Sequence, residues 1–112
     1  MVYCRYCDNN DRILKWASEY IRIPYYDPVK KKNRTYYTDF YLETDDGRKV
    51  VVEIKPNKEL RKPRKTKNKK NSTIIYEQLM YHTNQAKWKT AIDYCSKRNM
   101  EFKIITEKNF NF

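Results

Sequence analysis

The sequence contains no long apolar run, no signal peptide and no basic amphipathic segment. These absences argue against a membrane-bound protein. Acidic residues are also few, since 14 aspartates and glutamates oppose 25 lysines and arginines, giving a formal charge of +11. Such an excess does not suit a purely structural monomer. It indicates a polyanionic partner, and nucleic acid is the leading candidate.

Cysteine and histidine are scarce, with three cysteines and one histidine in the chain. Without a secretory signal, the cysteines indicate free thiols in a reducing cytoplasm. Cys4 and Cys7 have the spacing of half a zinc site, but no second pair of cysteines or histidines completes it. We therefore expect two small apolar residues on one helix face. His82 is expected on a helix surface or in packing rather than in catalysis.

The length of 112 residues predicts one domain over residues 1–112, large enough for one sheet and two or three helices. A first strand is predicted over Tyr20–Tyr25, with Pro24 placing it at a sheet edge or marking its end. A last strand is predicted over Glu101–Thr106, and a helix crossing between two strands makes them parallel. The sequence thus predicts an α/β fold with a mixed sheet and helices on its faces.

The predicted crossing helix begins at Ser72 or Thr73 and continues to about Arg98, with a break at Asn84 and an end at Asn99. Its apolar stripe is Ile75, Leu79, Ala86, Ile92 and Cys95, with Trp88 and Ala91 beside it.

Two segments are rich in lysine and arginine. The basic turn is Asp27–Arg34, and the basic arm is Asn57–Asn71. The arm has almost no apolar residues, so we expect it to be mobile when free and to become ordered on a DNA backbone. For the turn, a solvated loop and a phosphate contact are equally supported. The basic side chains concerned are Lys30, Lys31, Lys32, Arg34, Lys58, Arg61, Lys62, Arg64, Lys65, Lys67, Lys69 and Lys70.

The chain is organised around two β-rich runs, Tyr36–Leu42 and Lys49–Ile54, separated by an Asp-Asp-Gly turn. The second run is nearly continuously apolar, which is typical of a central strand covered on both faces. Glu53 and Lys55 share one face of this run because side chains alternate along a strand. Charged groups at such a position are costly unless they are paired or bind a metal.

The turn between the two runs decides which residue faces Glu53. A two-residue turn pairs Asp39 with Ile54, whereas a three-residue loop with Gly47 in the left-handed region pairs Asp39 with Glu53. We predict the three-residue loop. Paired carboxylates repel each other, and a divalent cation between them removes the repulsion. Oxygen ligands of this kind favour Mg²⁺ or Mn²⁺.

Asp39 and the Glu53-Ile54-Lys55 triplet, with thirteen residues between them, resemble the D…E-x-K core of the PD-(D/E)XK nuclease superfamily, although Thr38 replaces the usual proline. Further segments, in the same order over nearly the whole chain, are similar to the head completion nucleases of T-even-type phages. These segments are Trp16–Glu19, Ile23–Tyr25, Arg34–Phe40, Val52–Pro56, Asn84–Trp88 and Phe102–Glu107.

The resemblance implies a restriction-endonuclease-like α/β core and Mg²⁺-dependent cleavage of DNA phosphodiesters. Asp39, Glu53 and the Ile54 carbonyl would then hold the cation, and Lys55 would hold the attacking water. Gln85 and Lys87 match a family motif and are expected either to reach the phosphate or to lie on a polar helix surface. The setting implied is the host cytoplasm or the virion, with phage head proteins as possible partners.

The chain departs from the family at its N-terminus. The family carries a glutamate on an N-terminal helix, and no residue before Trp16 matches it, so we expect activity to be reduced if the helix is shortened. Glu19 is a candidate replacement. Alternatives to the head nuclease are a DNA-binding module that no longer cuts, a structural head or neck protein, and a repair, homing or transposition nuclease of the same superfamily.

Overall fold

The computed structural model describes Cys7, residues 9–64 and residues 66–107. The expectations for Cys4 and Lys65 lie outside these residues. The elements, in chain order, are β1 (Ile13–Ser18), β2 (Arg22–Asp27), β3 (Lys32–Tyr37), β4 (Phe40–Thr44), β5 (Lys49–Ile54), a 3-10 helix (Asn57–Leu60), α1 (Asn71–Ser96) and β6 (Glu101–Ile105).

A four-stranded sheet with the order β1-β4-β5-β6 forms the centre of the fold. Strands β1, β4 and β5 are antiparallel, whereas β6 lies parallel to β5 because α1 returns the chain to the other end of the sheet. Arg48 fixes the start of this parallel pair through Nε and Nη2, which donate to the Glu101 carboxylate at 2.7 and 2.9 Å. The mixed sheet confirms the predicted α/β class. Within the described residues, however, a single α-helix of at least eight residues packs on it.

Strands β2 and β3 form a separate antiparallel hairpin. The prediction of one strand over Tyr36–Leu42 was therefore wrong, because the chain leaves the hairpin at Thr38 and enters the central sheet at Phe40. Thr38 is fully buried, and both its backbone N and its Oγ1 donate to the carbonyl of Ile21, at 3.2 and 2.9 Å. These bonds hold the chain away from the extended path that one continuous strand would need.

The N-terminal strand β1 was also missed, because the first strand was predicted to begin only at Tyr20. Glu19 separates β1 from β2 with a positive φ of 53°, a conformation that breaks an extended run. Pro24 lies in β2, which pairs only with β3 among the described strands, and this confirms its predicted edge position.

Asp27 fixes the basic turn that joins β2 to β3. Its Oδ1 accepts hydrogen bonds from the backbone N of Val29 and Lys30, and its Oδ2 accepts one from Arg34 Nη1 at 3.2 Å. Burial alone would raise the pKa of Asp27, but these donors outweigh it and hold the pKa below its ordinary value. The turn is thus a built structure with its lysines exposed, rather than a loose loop.

Helix α1 runs from Asn71 to Ser96 without the break predicted at Asn84, and Lys70 occupies the N-cap position predicted for Ser72 or Thr73. The predicted apolar stripe was wrong in part, since three of its members, Ile75, Leu79 and Ile92, are exposed. Because α1 packs against two different elements, β2 and β6, its buried positions do not form one regular stripe. The buried residues of α1 are Ile74, Thr83, Asn84, Trp88, Ala91 and Cys95. The predicted end is confirmed, because Asn99 follows the helix with a left-handed φ of 56°.

Two apolar clusters stabilise the fold on opposite faces of the central sheet. One joins β1, β4 and β5 to Cys7, which is buried as a small apolar residue. The other joins the β2–β3 hairpin to α1 through Ile23, Tyr36 and Trp88. The beginning of the basic arm is a 3-10 helix rather than an irregular segment, and Leu60 of this helix packs against the second cluster. In the described ranges, no helix is long and apolar enough to span a membrane.

Candidate active site

The loop between β4 and β5 places Asp39 opposite Glu53. Gly47 has a φ of 85° and its N donates to the Thr44 carbonyl at 3.1 Å, while Phe40 pairs with Val52. The same register continued by one residue pairs Asp39 with Glu53, which confirms the predicted three-residue loop. Asp39 is anchored there, because its Oδ2 accepts a hydrogen bond of 2.8 Å from the backbone N of Ile54.

Glu53 is a buried carboxylate at the end of a central strand, with only 6% of its surface exposed. Burial raises its pKa to about 7, and the negative charge of Asp39 adds to the rise, while Tyr36 and Lys55 act in the opposite direction. Its Oε2 has no hydrogen-bond partner within the described part of the chain. A buried, unpaired carboxylate oxygen next to a second carboxylate is costly in a purely structural role.

Lys55 contributes a positive charge close to Glu53. Its backbone N donates to the Ile105 carbonyl of β6 at 3.0 Å, which fixes the position of the residue beyond the end of β5. Its Nζ lies 3.7 Å from Glu53 Oε1, and the side chain is about one quarter exposed. Glu53 and Lys55 therefore share one face, as the alternation of the strand predicted.

Tyr36 and Trp88 border the carboxylate on the side of α1. The Tyr36 hydroxyl and the Trp88 indole Nε1 are buried, and neither makes a regular hydrogen bond to a described residue. Burial raises the pKa of Tyr36 far above its usual range, and the negative charge of Glu53 raises it further. The Tyr36 hydroxyl nevertheless lies close to both Glu53 and Trp88, so three buried polar groups without a hydrogen bond of regular geometry to a described residue are neighbours between β5, the hairpin and α1.

Helix α1 supplies a second amine. Lys87 is half-buried, and its Nζ lies 5.4 Å from the centroid of the Tyr36 ring and 6.0 Å from that of Tyr25. Burial lowers its pKa, and the nearby Lys55 lowers it further while Glu53 raises it. The structure therefore brings Lys87 to the candidate site.

The side chains of the other two additional candidates, Gln85 and Glu19, are exposed to solvent. Gln85 is exposed on α1. The Glu19 side chain is also exposed, although its backbone N donates to the Asp39 carbonyl at 3.1 Å. Glu19 therefore supports the backbone of the site, and its carboxylate faces solvent.

Comparison with known proteins identifies the family of this chain. The family described as "TnsA-like endonuclease N terminal" matches residues 10–107, which is most of the chain. This chain belongs to that family. It is also 34% identical over 110 residues to the head completion nuclease of Enterobacteria phage T4, covering 94% of this chain and 72% of that protein. No solved structure gives a significant match. The resemblance to phage head completion nucleases is confirmed, and so is the PD-(D/E)XK-like fold that the TnsA-like family implies.

The donor set of this TnsA-like domain fits a hard divalent cation. Asp39 and Glu53 offer oxygen ligands from paired positions, and the unpaired Glu53 Oε2 is available to bind one. In the described residues, no group of three or more histidine, cysteine, aspartate or glutamate side chains is arranged to hold a metal. Mg²⁺ tolerates such a sparse set, because it binds through one or two carboxylates and keeps several waters.

Sequence reasoning missed Tyr36 and Trp88 as parts of the site. In one continuous strand, alternation would place Tyr37 on the same face as Asp39 and Tyr36 on the opposite face. The sequence pattern gives no sign that the strand is interrupted at Thr38. Trp88 was expected only to pack beside an apolar stripe. His82 is exposed and stacks edge-on against Tyr81, in agreement with its expected surface position.

Proposed function

We propose that this protein is a metal-dependent DNA endonuclease that hydrolyses phosphodiester bonds at the site formed by Asp39, Glu53 and Lys55. The observation that supports this most directly is the buried carboxylate of Glu53, whose Oε2 has no hydrogen bond of regular geometry in the described chain and whose Oε1 lies 3.7 Å from Lys55 Nζ, opposite Asp39. Membership in the TnsA-like endonuclease family gives independent support.

Each residue has a definite part in this proposal. Asp39, Glu53 and the Ile54 carbonyl would hold Mg²⁺ or Mn²⁺. When bound, the cation would polarise the scissile phosphate and lower the pKa of a coordinated water. Lys55 holds the attacking water and offsets the charge that develops on the phosphate. Lys87 contacts a phosphate oxygen from the side of α1.

The biological setting follows from the T4 relative. We propose that the protein acts in phage head completion, on DNA that is being packaged, with phage head proteins as partners and the host cytoplasm or the virion as its location. Residues 1–112 form one catalytic domain in this proposal, and the basic arm and basic turn contact the DNA backbone.

A nicking assay on supercoiled plasmid tests the proposal. The wild-type protein is expected to nick the plasmid with Mg²⁺ or Mn²⁺ and to leave it intact in EDTA. Asp39→Asn removes one of the two paired charges and is expected to lower the nicking rate by about 10²-fold or more. Rates are measured from the disappearance of the supercoiled band.

The matched control is Asp93→Asn, which neutralises an exposed carboxylate of α1 that pairs with Lys97, the residue after the helix. It is expected to nick at the wild-type rate. An absence of nicking with either metal, together with tight and salt-sensitive DNA binding, would instead identify a DNA-binding module of nuclease descent.

The basic arm is expected to dominate the salt dependence of DNA binding. Each neutralised phosphate contributes about 0.9 to the slope of log K against log salt concentration. Replacing Lys58, Arg61, Lys62 and Lys67 together with glutamine should therefore reduce that slope by up to about 4 and weaken binding to all sequences alike. Fluorescence anisotropy at several salt concentrations, with two unrelated duplexes, measures both effects.

Lys97→Gln serves as the control for this prediction, since Lys97 lies beyond the opposite end of α1 and is exposed. Its slope should stay close to that of the wild type. A loss confined to one of the two duplexes would mean that the arm reads bases, contrary to the proposed phosphate contacts.

A further inference from the structure

A groove of about 750 Å³ runs between the basic arm and the N-terminal half of α1. Lys58, Arg61 and Lys62 line its arm side, and Tyr76, Met80 and Tyr81 line its helix side. It begins at Pro56, directly after Lys55 in the chain. The arm wall is therefore mostly positively charged, with Glu59 among its lysines and arginines, and the helix wall is mostly aromatic and apolar, with Glu77 paired to Lys69.

The row of α1 residues that lines the groove points toward the candidate active site. Tyr76, Met80 and Asn84 line the groove at intervals of four residues, and Trp88 continues the same row. Twelve residues of helix from Tyr76 to Trp88 span roughly 18 Å. Trp88 borders Tyr36, which adjoins Glu53, so the inner end of the row reaches the carboxylates.

Lys69 holds the arm in place as the outer wall. Its Nζ donates to Glu77 Oε2 on α1 at 2.9 Å and to the Arg64 carbonyl of the arm at 3.3 Å. Both side chains of the Lys69–Glu77 pair are about one third exposed, so the contact is partly shielded from solvent. The spacing between arm and helix is thus fixed by direct bonds.

The chemistry of the two walls matches unpaired DNA. Tyr76 is 64% exposed and offers a free ring face, while the lysines and arginines opposite match phosphates in charge. Bases of a single strand stack on such rings, whereas the bases of a duplex are occupied by their neighbours. Asn84 is 3% exposed and lines the inner end of the groove, where its Oδ1 has no partner among the described residues and can accept a hydrogen bond from a base amino group.

We propose that this groove binds a single-stranded DNA segment that leads into the site of Asp39 and Glu53. The substrate class is then DNA with an unpaired stretch beside the cleaved bond, such as a tail or a branch. The inference rests on the proposed nuclease function for the cleavage step, but the binding itself can be measured separately.

The test compares a blunt duplex with the same duplex carrying a single-stranded tail about five nucleotides long, within the roughly 4–16 nucleotides that a single-strand-binding site covers. Binding is measured by fluorescence anisotropy in EDTA, so that cleavage does not interfere. The wild-type protein should bind the tailed DNA at least roughly tenfold more tightly than the blunt duplex, because the stacking of one or two bases supplies a gain of that size. The double variant Tyr76→Leu, Tyr81→Leu should reduce that preference to less than about twofold.

Tyr76→Phe keeps the ring and is expected to keep the preference, while Ile92→Ala, on the exposed part of α1 outside the groove, controls for general effects on the helix. Thermal melting verifies that each variant is folded. Equal affinity of the wild type for blunt and tailed DNA, or a preference that survives in the double leucine variant, would overturn the proposal. A third result would also overturn it: polyglutamate binds the wild type as tightly as the tailed DNA does, and it binds the double leucine variant more weakly. The groove would then be a site for an acidic protein. A tyrosine-dependent preference without plasmid nicking supports the groove and refutes the nuclease.

Discussion

Glu53→Gln is expected to abolish metal-dependent cleavage and, at the same time, to stabilise the metal-free protein. The glutamine keeps the size of the side chain but cannot provide the second negative charge beside Asp39. Because a bound cation supplies several kcal/mol of charge stabilisation in the transition state, the cleavage rate should fall by about 10³-fold or more. Plasmid nicking over a range of Mg²⁺ concentrations measures this loss.

The gain in stability has the same physical origin as the loss of activity. Burial raises the pKa of Glu53 to about 7, so at pH 8 the folded protein carries a charged, largely desolvated carboxylate. Replacing it should raise the free energy of unfolding in EDTA by on the order of 2 kcal/mol. Mg²⁺ should then raise the melting temperature of the wild type but not that of the variant, since only the wild type binds it.

Glu43→Gln is the matched control, because Glu43 is half-buried on the neighbouring strand β4 and accepts a hydrogen bond from Tyr41. It should cleave at the wild-type rate and respond to Mg²⁺ in the same way. If Mg²⁺ stabilised Glu53→Gln as much as the wild type, Glu53 would not be a ligand and the proposed centre would be wrong.

The pairing of Asp39 with Glu53 could be predicted because local rules determine it. An Asp-Asp-Gly turn with one left-handed glycine fixes the loop length, and the apolar run of β5 identifies the central strand. The loop length then sets the register, and the register sets which side chains face each other. The two charged positions that matter most are therefore encoded within about twenty neighbouring residues.

The residues around Asp39 and Glu53 are positioned by contacts between distant parts of the chain, which a local sequence pattern does not show. Thr38 ends the hairpin by bonding to Ile21, seventeen positions away in the chain, and this bend brings Tyr36 to the site. Trp88 and Lys87 arrive on a helix whose buried positions are chosen by β2 and β6 together, so a single helical stripe could not identify them. The burial of Glu53 is a tertiary property, and this burial is what raises its pKa.

Lys55→Met is expected to slow cleavage by about 10² to 10³-fold while changing DNA affinity by less than about threefold. Methionine retains much of the apolar stem of lysine and removes the charge. The affinity hardly changes, because Lys55 is one of 25 lysines and arginines. The rate falls because this amine lies 3.7 Å from Glu53 Oε1 and can reach a water held at that carboxylate.

An indirect effect on the metal has to be separated from the direct effect on the water. The positive charge of Lys55 lowers the pKa of Glu53, so its loss also weakens the negative charge available to Mg²⁺. Single-turnover cleavage measured up to saturating Mg²⁺ resolves the two effects, since a defect in metal binding alone disappears at saturation. A defect that persists there belongs to the water or the transition state.

Lys49→Met provides the comparison, because Lys49 is an exposed lysine at the opposite end of the same strand. It removes the same charge from the same strand and should leave both rate and affinity within about twofold of the wild type. A fall in affinity as large as the fall in rate for Lys55→Met would show that Lys55 binds the substrate in its ground state. If the cleavage rate of Lys55→Met recovered fully at high Mg²⁺, the role of Lys55 would be limited to keeping Glu53 charged for metal binding.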